Sequence, residues 1–195
     1  LRYRAAERHR SGGDFRQRQI SQTDRNGRLA GALAGLANWA SRTSNGLTRP
    51  VLEWIAGIHR EAHLPRYHSE AFARQAAVEK PTINREAPAL GRKAVLFATC
   101  FVNFNNPRIG DAARRVLAHN GVETEVIYPT CCGMPQLEQG DIESVAAQAC
   151  SATGELVDWI DRGYDVIALI PSCALMLKFE WPLILPGDPA VARVS

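Results

Sequence analysis

Three short apolar runs in the second half of the chain alternate with two longer amphipathic segments. The runs cover residues 94–99, 122–128 and 165–170, and each has the length of a buried strand. Between them, residues 107–120 and 141–162 carry apolar side chains at helical spacing. This strand–helix–strand–helix–strand order predicts an α/β domain with a parallel sheet and right-handed crossovers, resembling half of a doubly wound fold.

Each predicted helix has a face that is expected to pack on the sheet. The face of the first helix is expected to hold Ile109, Ala113, Val116 and Leu117. The face of the second is expected to hold Ile142, Val145, Ala146, Ala149, Leu156 and Ile160. Asn120-Gly121 and Gly163 end these helices well, because both residue types tolerate a left-handed backbone.

Residues 1–78 have a different pattern and predict a helical extension with breaks. Plausible N-caps are Asp14, Thr23 or Asp24, and Ser69. A buried helical face is predicted by the spacing of Leu29, Leu33, Leu36 and Ala40. Close packing against the rest of the protein is predicted by a repeat of small residues at Gly27, Gly31 and Gly35. Residues 79–91, which contain Pro81 and Pro88, predict a linker to an α/β domain over 92–195.

Charge and composition limit the partners and the cellular location that the sequence predicts. The 195 residues carry a net charge of +3, and residues 1–28 hold eight arginines but no lysine. We expect this arm to be a solvated helix face. We expect no nucleic-acid partner, because no aromatic side chains alternate with the arginines. A secretory signal and a membrane-length apolar stretch are absent from the sequence, which favours a cytoplasmic protein or one at the inner face of the membrane. We also expect the sequence to be a piece of a longer protein.

Cysteines follow each of the three predicted strands. Cys100 ends the first run, Cys131 and Cys132 follow the second, and Cys173 follows the third. Because the carboxyl ends of parallel strands share one edge, these four sulfurs are expected to meet there. Strand ends that feed helix starts favour thiolate, the form that binds metal or attacks a disulfide. The fifth cysteine, Cys150, is expected to act as a small hydrophobic residue in the middle of a helix.

The residues around these cysteines are similar to those of a known family. Cys100 is followed by Cys131-Cys132-Gly133 after about thirty residues, and by Pro171-Ser172-Cys173 after about forty more. This order resembles the cysteine-rich CCG domain found in heterodisulfide reductase and in the iron–sulfur subunits of glycolate, lactate and anaerobic glycerol-3-phosphate dehydrogenases. The resemblance is strongest over residues 92–190.

The resemblance implies an electron-transfer subunit that is not catalytic alone. Its cofactor would be an iron–sulfur cluster of the 4Fe-4S type, in a cubane or a non-cubane form, with Cys100, Cys131, Cys132 and Cys173 as ligands. Its partner would be a flavin-dependent dehydrogenase subunit or another redox protein, with peripheral membrane association as an option. Trp181 and Phe179 are expected to pack as a lid beyond Cys173.

One departure from the family pattern leaves three hypotheses open. The family motif ends in Cys-x-x-Cys, whereas Met176 stands at that last position here. A thioether is a weaker donor than a thiolate, so this copy holds a four-cysteine cluster, holds one poorly, or has lost its cluster and serves structurally. The alternatives are a thiol–disulfide oxidoreductase that uses the vicinal cysteines, or a degenerate CCG domain that serves as a structural interaction module.

Overall fold

The computed structural model of the protein describes residues 15–195. Asp14 and the first half of the arginine-rich arm lie outside the described residues. Over the described part of the extension the chain forms α1 (Phe15–Ser21), α2 (Thr23–Ala32), α3 (Ala34–Ala40), α4 (Thr48–Ala56) and α5 (Phe72–Val78).

The second half alternates strands and helices, as the apolar pattern predicts. Its first part comprises β1 (Lys93–Phe97), α6 (Cys100–Phe104), α7 (Pro107–His119), β2 (Glu123–Ile127), α8 (Met134–Glu138) and α9 (Ile142–Asp161). Its second part comprises β3 (Asp165–Ala168), α10 (Pro171–Leu175), a π-helix (Met176–Glu180), α11 (Trp181–Ile184) and α12 (Pro189–Val194).

The three strands form one parallel sheet in the order β2-β1-β3. Phe97, at the end of β1, lies opposite Ile127 of β2 and Ala168 of β3. The strands therefore end level with one another, and the chain leaves all three at the same edge. The predicted α/β class, with its parallel sheet, is confirmed.

The core lies on both faces of the central strand β1. One face packs on α9, through Val145, Ala149 and Leu156, and on the C-terminal helices. The other face packs on α5 and α6, through residues such as Phe72 and Val102. The predicted core face of α9 is thus confirmed at its central positions.

The predicted core face of α7 is wrong at Val116. This side chain is 61% exposed, whereas Gly110, Arg114 and Ala118 are buried. Gly110 lets the helix approach the ring of Phe72, and the guanidinium of Arg114 donates to the carbonyl oxygen of Ala76 at 3.1 Å. Small size and one satisfied hydrogen bond, rather than apolarity, determine which side of α7 faces inward.

The predicted apolar face of the extension is also wrong. Leu29, Leu33 and Leu36 are 60% to 64% exposed, and the buried residues of α2 are Gly27 and Gly31. A side chain at Gly27 would overlap the ring of Phe104, which itself is buried. The absence of a Cβ therefore allows α2 to lie against α6, and this contact turns the leucines outward.

Two predicted caps are replaced by other contacts. Ala71 is the N-cap of α5, in place of Ser69, and the N–H of Ala73 donates to Asn103 Oδ1 at 2.9 Å. Gln22 precedes α2, and neither Thr23 nor Asp24 caps that helix with its side chain.

The boundaries predicted for the extension and the linker stay a prediction. No helix among residues 15–195 is long and apolar enough to cross a membrane.

We predict that Gly27→Ala lowers the free energy of unfolding by about 1–3 kcal/mol, because the added methyl group would collide with the packed ring of Phe104. Gly35→Ala is the matched control, since nothing lies within 4 Å of a Cβ at that position. It should leave the stability unchanged or raise it by at most about 1 kcal/mol. Urea unfolding followed by circular dichroism would measure both variants, and equal stabilities would contradict the packing described for α2.

Candidate metal centre

Four cysteines lie at the carboxyl edge of the sheet. Cys100 begins α6 directly after β1, and Cys173 lies in α10 after β3. Cys131 and Cys132 lie in the loop between β2 and α8. The structure thus brings together the four residues that the sequence places at the ends of three strands.

The sulfur atoms form two close pairs. Cys100 Sγ lies 3.8 Å from Cys131 Sγ, and Cys132 Sγ lies 3.1 Å from Cys173 Sγ. Cys131, Cys132 and Cys173 are buried, Cys100 is partly buried, and all of them are free thiols. Each of the adjacent cysteines therefore faces a different partner, so the Cys-Cys pair links the two halves of the site.

Gly133 permits the turn that follows the adjacent cysteines. Its φ of 90° lies in the left-handed region that favours glycine. A Cβ there would also lie 3.0 Å from Gln148 Oε1 and 3.1 Å from a methyl group of Val145, both on α9. The third position of Cys-Cys-Gly is thus constrained both by backbone conformation and by the close approach of α9.

Trp181 lies beside the adjacent cysteines, and Met176 belongs to the same buried core cluster. Both side chains are fully buried, and they belong to the same core cluster as Cys131, Cys132 and Cys173. The indole N–H of Trp181 donates to the carbonyl oxygen of Cys132 at 2.9 Å. Phe179, by contrast, is 53% exposed, so the prediction that it packs as a lid is wrong, while Trp181 is buried.

Thr23 is a site residue that the sequence prediction missed. Its hydroxyl donates to Cys100 Sγ at 3.5 Å and lies 3.7 Å from Cys131 Sγ. The only sequence signal at this position was its suitability as a helix cap, which concerns local structure. Thr23 is separated from Cys100 by 77 positions and from Cys131 by 108 positions. Contacts over such separations do not produce a periodic pattern in the sequence.

Hydrogen bonding among the sulfurs shifts the pKa values of three cysteines in different directions. The pKa of Cys131 is lowered, chiefly by the hydrogen bond with Cys100 and then by the one with Cys132. The pKa values of Cys100 and Cys132 are raised, in each case chiefly by the hydrogen bond with Cys131. Hydrogen bonds among the sulfurs thus favour the thiolate form more at Cys131 than at Cys100 or Cys132.

The donor set fits a soft group that is bound by several thiolates. Four thiols from three chain segments face one buried region, and cysteine thiolate is the usual ligand of iron–sulfur clusters. Within residues 15–195, no group of three or more His, Cys, Asp or Glu side chains is placed to hold a single metal ion.

Cys150 is separate from this site. It lies on α9 and is exposed, so its predicted role as a buried small hydrophobic residue is wrong. In this helix the inward positions next to it are taken by Ala149 and Ala152, which leaves Cys150 on the outer face.

The part of the chain that holds the four cysteines matches a known family. Residues 94–178 match the family model described as "CCG: Cysteine-rich domain". The chain is 26% identical over 171 residues to a subunit of the anaerobic glycerol-3-phosphate dehydrogenase of Escherichia coli (strain K12), covering 87% of this chain and 42% of that protein. No solved structure gives a significant match.

A second group of relatives covers about half of the chain. The chain is 30% identical over 104 residues to "Lactate utilization protein A" of Bacillus thuringiensis (strain Al Hakam), covering 52% of this chain and 41% of that protein. It spans about two-fifths of the length of these curated relatives. The region that matches the family model contains all four cysteines of the site. Residues 94–178 thus match the CCG cysteine-rich domain, and the chain is homologous to the anaerobic glycerol-3-phosphate dehydrogenase subunit and to lactate utilization protein A.

Proposed function

We propose that the CCG domain binds an iron–sulfur cluster through Cys100, Cys131, Cys132 and Cys173, and that the chain transfers electrons within an oxidoreductase. The observation that supports this proposal is the convergence of the four thiols, from three separate strand ends, at one buried edge of the sheet. Cysteines that serve only as small hydrophobic residues have no reason to meet in this way.

The residues of the chain would supply ligands, position and a dry environment. Cysteines bind metal as thiolates, so the thiols of Cys100 and Cys132 would lose their protons when the group binds. The Cys131 thiolate is already favoured in the metal-free site. Trp181 fixes the carbonyl of Cys132, and burial of Cys131, Cys132 and Cys173 shields these three residues from water. A bound cluster would supply one-electron chemistry, which cysteine side chains lack.

The partner would be a redox protein, because a cluster buried in one chain needs a donor and an acceptor of electrons. The relatives' names refer to a dehydrogenase and to lactate utilization, which favours a dehydrogenase subunit that oxidises a small hydroxylated substrate. We propose that this subunit is flavin-dependent. The extension exposes apolar side chains, among them Leu33, Leu47 and Trp54, which a partner protein or a membrane surface would cover.

A thiol–disulfide oxidoreductase is the second candidate function. Two observations favour it: the lowered pKa of Cys131, and the distance of 3.1 Å between Cys132 Sγ and Cys173 Sγ. A nucleophilic thiolate must reach a disulfide sulfur, however, and Cys131 has no exposed surface. Burial therefore favours a ligand role over a nucleophilic role.

Loss of the cluster is the third candidate, and Met176 is its support. The thioether is fully buried near the cysteines and is neutral, so it compensates less of the charge of iron than a thiolate would. Four thiolates are nevertheless the full ligand set of common iron–sulfur clusters. The donor set is thus sufficient without a fifth sulfur.

We predict that the protein purified without oxygen contains iron and acid-labile sulfide, and that Cys131→Ser abolishes most of both. The serine hydroxyl would lack the thiolate that the site favours at this position. Cys150→Ser is the matched control, because Cys150 is exposed and lies outside the site. Elemental analysis and electron paramagnetic resonance would measure the outcome. Absence of iron after anaerobic reconstitution of the wild-type protein would contradict the proposal.

We also predict that Met176→Cys slows the loss of iron to a chelator, because a thiolate would replace a weak neutral donor at the buried wall of the site. Leu175→Cys is the control, since it adds a thiol at a half-exposed position on the preceding residue. The rate of iron release to a chelator, followed by absorbance, would compare the variants. Equal rates for both would indicate that position 176 does not face the bound group.

A further inference from the structure

We propose that Thr23 is a positioning residue of the cysteine site, which holds and covers the Cys100–Cys131 pair from the helical extension. Its hydroxyl is 3.5 Å from Cys100 Sγ, to which it donates, and 3.7 Å from Cys131 Sγ. Both distances lie within hydrogen-bond range for sulfur, so a single hydroxyl bridges one of the two sulfur pairs. The extension thus contributes a side chain to the site of the α/β domain.

The short segment around Thr23 is anchored on both sides. On one side, Gln136 Nε2 donates to the carbonyl oxygen of Ser21 at 2.8 Å, and both of these residues are buried. On the other side, the Tyr128 hydroxyl donates to Asp24 Oδ1 at 2.7 Å. Gln136 follows the adjacent cysteines and Tyr128 precedes them, so the loop that carries Cys131 is attached to the extension before and after the sulfur.

Asp24 is itself held in place by a charged neighbour. Arg28 Nε donates to its two carboxylate oxygens at 3.2 and 3.1 Å, one helical turn further along α2. Burial and this carboxylate together raise the pKa of Tyr128, so the phenol stays protonated and remains a donor. The anchor therefore consists of a carboxylate, Asp24, that accepts hydrogen bonds from the guanidinium of Arg28 and from the phenol of Tyr128.

The hydroxyl of Thr23 is directed at the sulfurs instead of at its own helix. Thr23 is the first residue of α2, and that helix has no side-chain cap. Thr23 follows the N-cap Gln22, so capping of the first turn does not fall to its hydroxyl, and the hydroxyl donates its proton to Cys100 Sγ.

The bridge acts on one pair of sulfurs only. A hydrogen bond to a ligand sulfur stabilises negative charge on it and so raises the reduction potential of a bound cluster. Cys132 and Cys173, the second pair, contact each other and the Trp181 side of the site. Thr23 would therefore stabilise charge on the Cys100–Cys131 side of the bound group.

The first test measures the midpoint potential of the reconstituted protein by redox titration, and this arm rests on the proposed function. Thr23→Val removes the hydroxyl and keeps the size, and is expected to shift the potential to a more negative value. Thr23→Ser keeps the hydroxyl and should retain the wild-type potential. Thr48→Val is the matched control, because Thr48 also begins a helix and donates to the carbonyl oxygen of Ala40. An unchanged potential in Thr23→Val would overturn the proposal.

The second test uses the metal-free protein, so it decides the proposal even when no cluster forms. Alkylation of each cysteine by N-ethylmaleimide under native conditions would be followed by peptide mass spectrometry. Thr23→Ala removes the side chain that covers Cys100 and Cys131, and this exposure should accelerate their alkylation several-fold, which outweighs the smaller thiolate fraction left by loss of the hydrogen bond. Cys132 and Cys173 should keep their rates, and Thr23→Ser should resemble the wild type. Unchanged rates, or an equal rise at all four cysteines, would overturn the proposal.

Failure of the two proposals is distinguishable. A wild-type protein that binds no iron but shows selective exposure of Cys100 and Cys131 in Thr23→Ala refutes the cluster and supports the cover. A wild-type protein that binds iron, with the same potential and the same alkylation pattern in the Thr23 variants, supports the cluster and refutes the role of Thr23.

Discussion

The register of the parallel sheet is the constraint on which the site depends. Phe97, Ile127 and Ala168 lie side by side, and the N–H of Ala98 extends the pairing by donating to the carbonyl oxygen of Ile127 at 2.8 Å. Because the strands end level, each cysteine follows its strand at the same edge without a long connecting loop. A slip of one residue in β1 or β3 would move one sulfur, and a slip in β2 two sulfurs, by about 3 Å along the strand direction. The hydrogen-bonded sheet therefore sets the spacing of the four sulfurs.

The same burial that stabilises the fold gives the sulfurs their chemistry. Cys131, Cys132 and Cys173 belong to the main hydrophobic cluster together with Val145 and Leu156. A buried thiolate is costly without a compensating partner, and in the metal-free site neighbouring thiols provide it through hydrogen bonds. A positively charged metal group would compensate several thiolates at once. The site is thus better suited to a bound group than to multiple free thiolates.

Sequence patterns predicted those parts of the fold that depend on periodicity along one segment. The strands, the order of elements and the inner positions of α9 are of this kind, and so is the shared edge of the cysteines. Leu29 and Leu33 misled the prediction because spacing identifies an apolar face but not what the face packs against; Gly27 allows a closer helix contact with Phe104, which decides the orientation. Thr23 was missed for a related reason, since its contacts join distant segments.

The contacts of Thr23 also bear on how the extension and the α/β domain relate. Besides the bridge to the sulfurs, the N–H of His68 donates to the carbonyl oxygen of Phe104 at 2.9 Å, and α5 covers one face of the sheet. Phe104 in turn packs edge-to-face on Tyr128, the phenol that holds Asp24. One aromatic pair therefore connects the glycine face of α2 with the anchor beside the cysteines. Because these contacts share residues, a change that displaces α2 from Phe104 would also displace the hydroxyl from the sulfurs, so packing of the extension and geometry of the site are physically coupled.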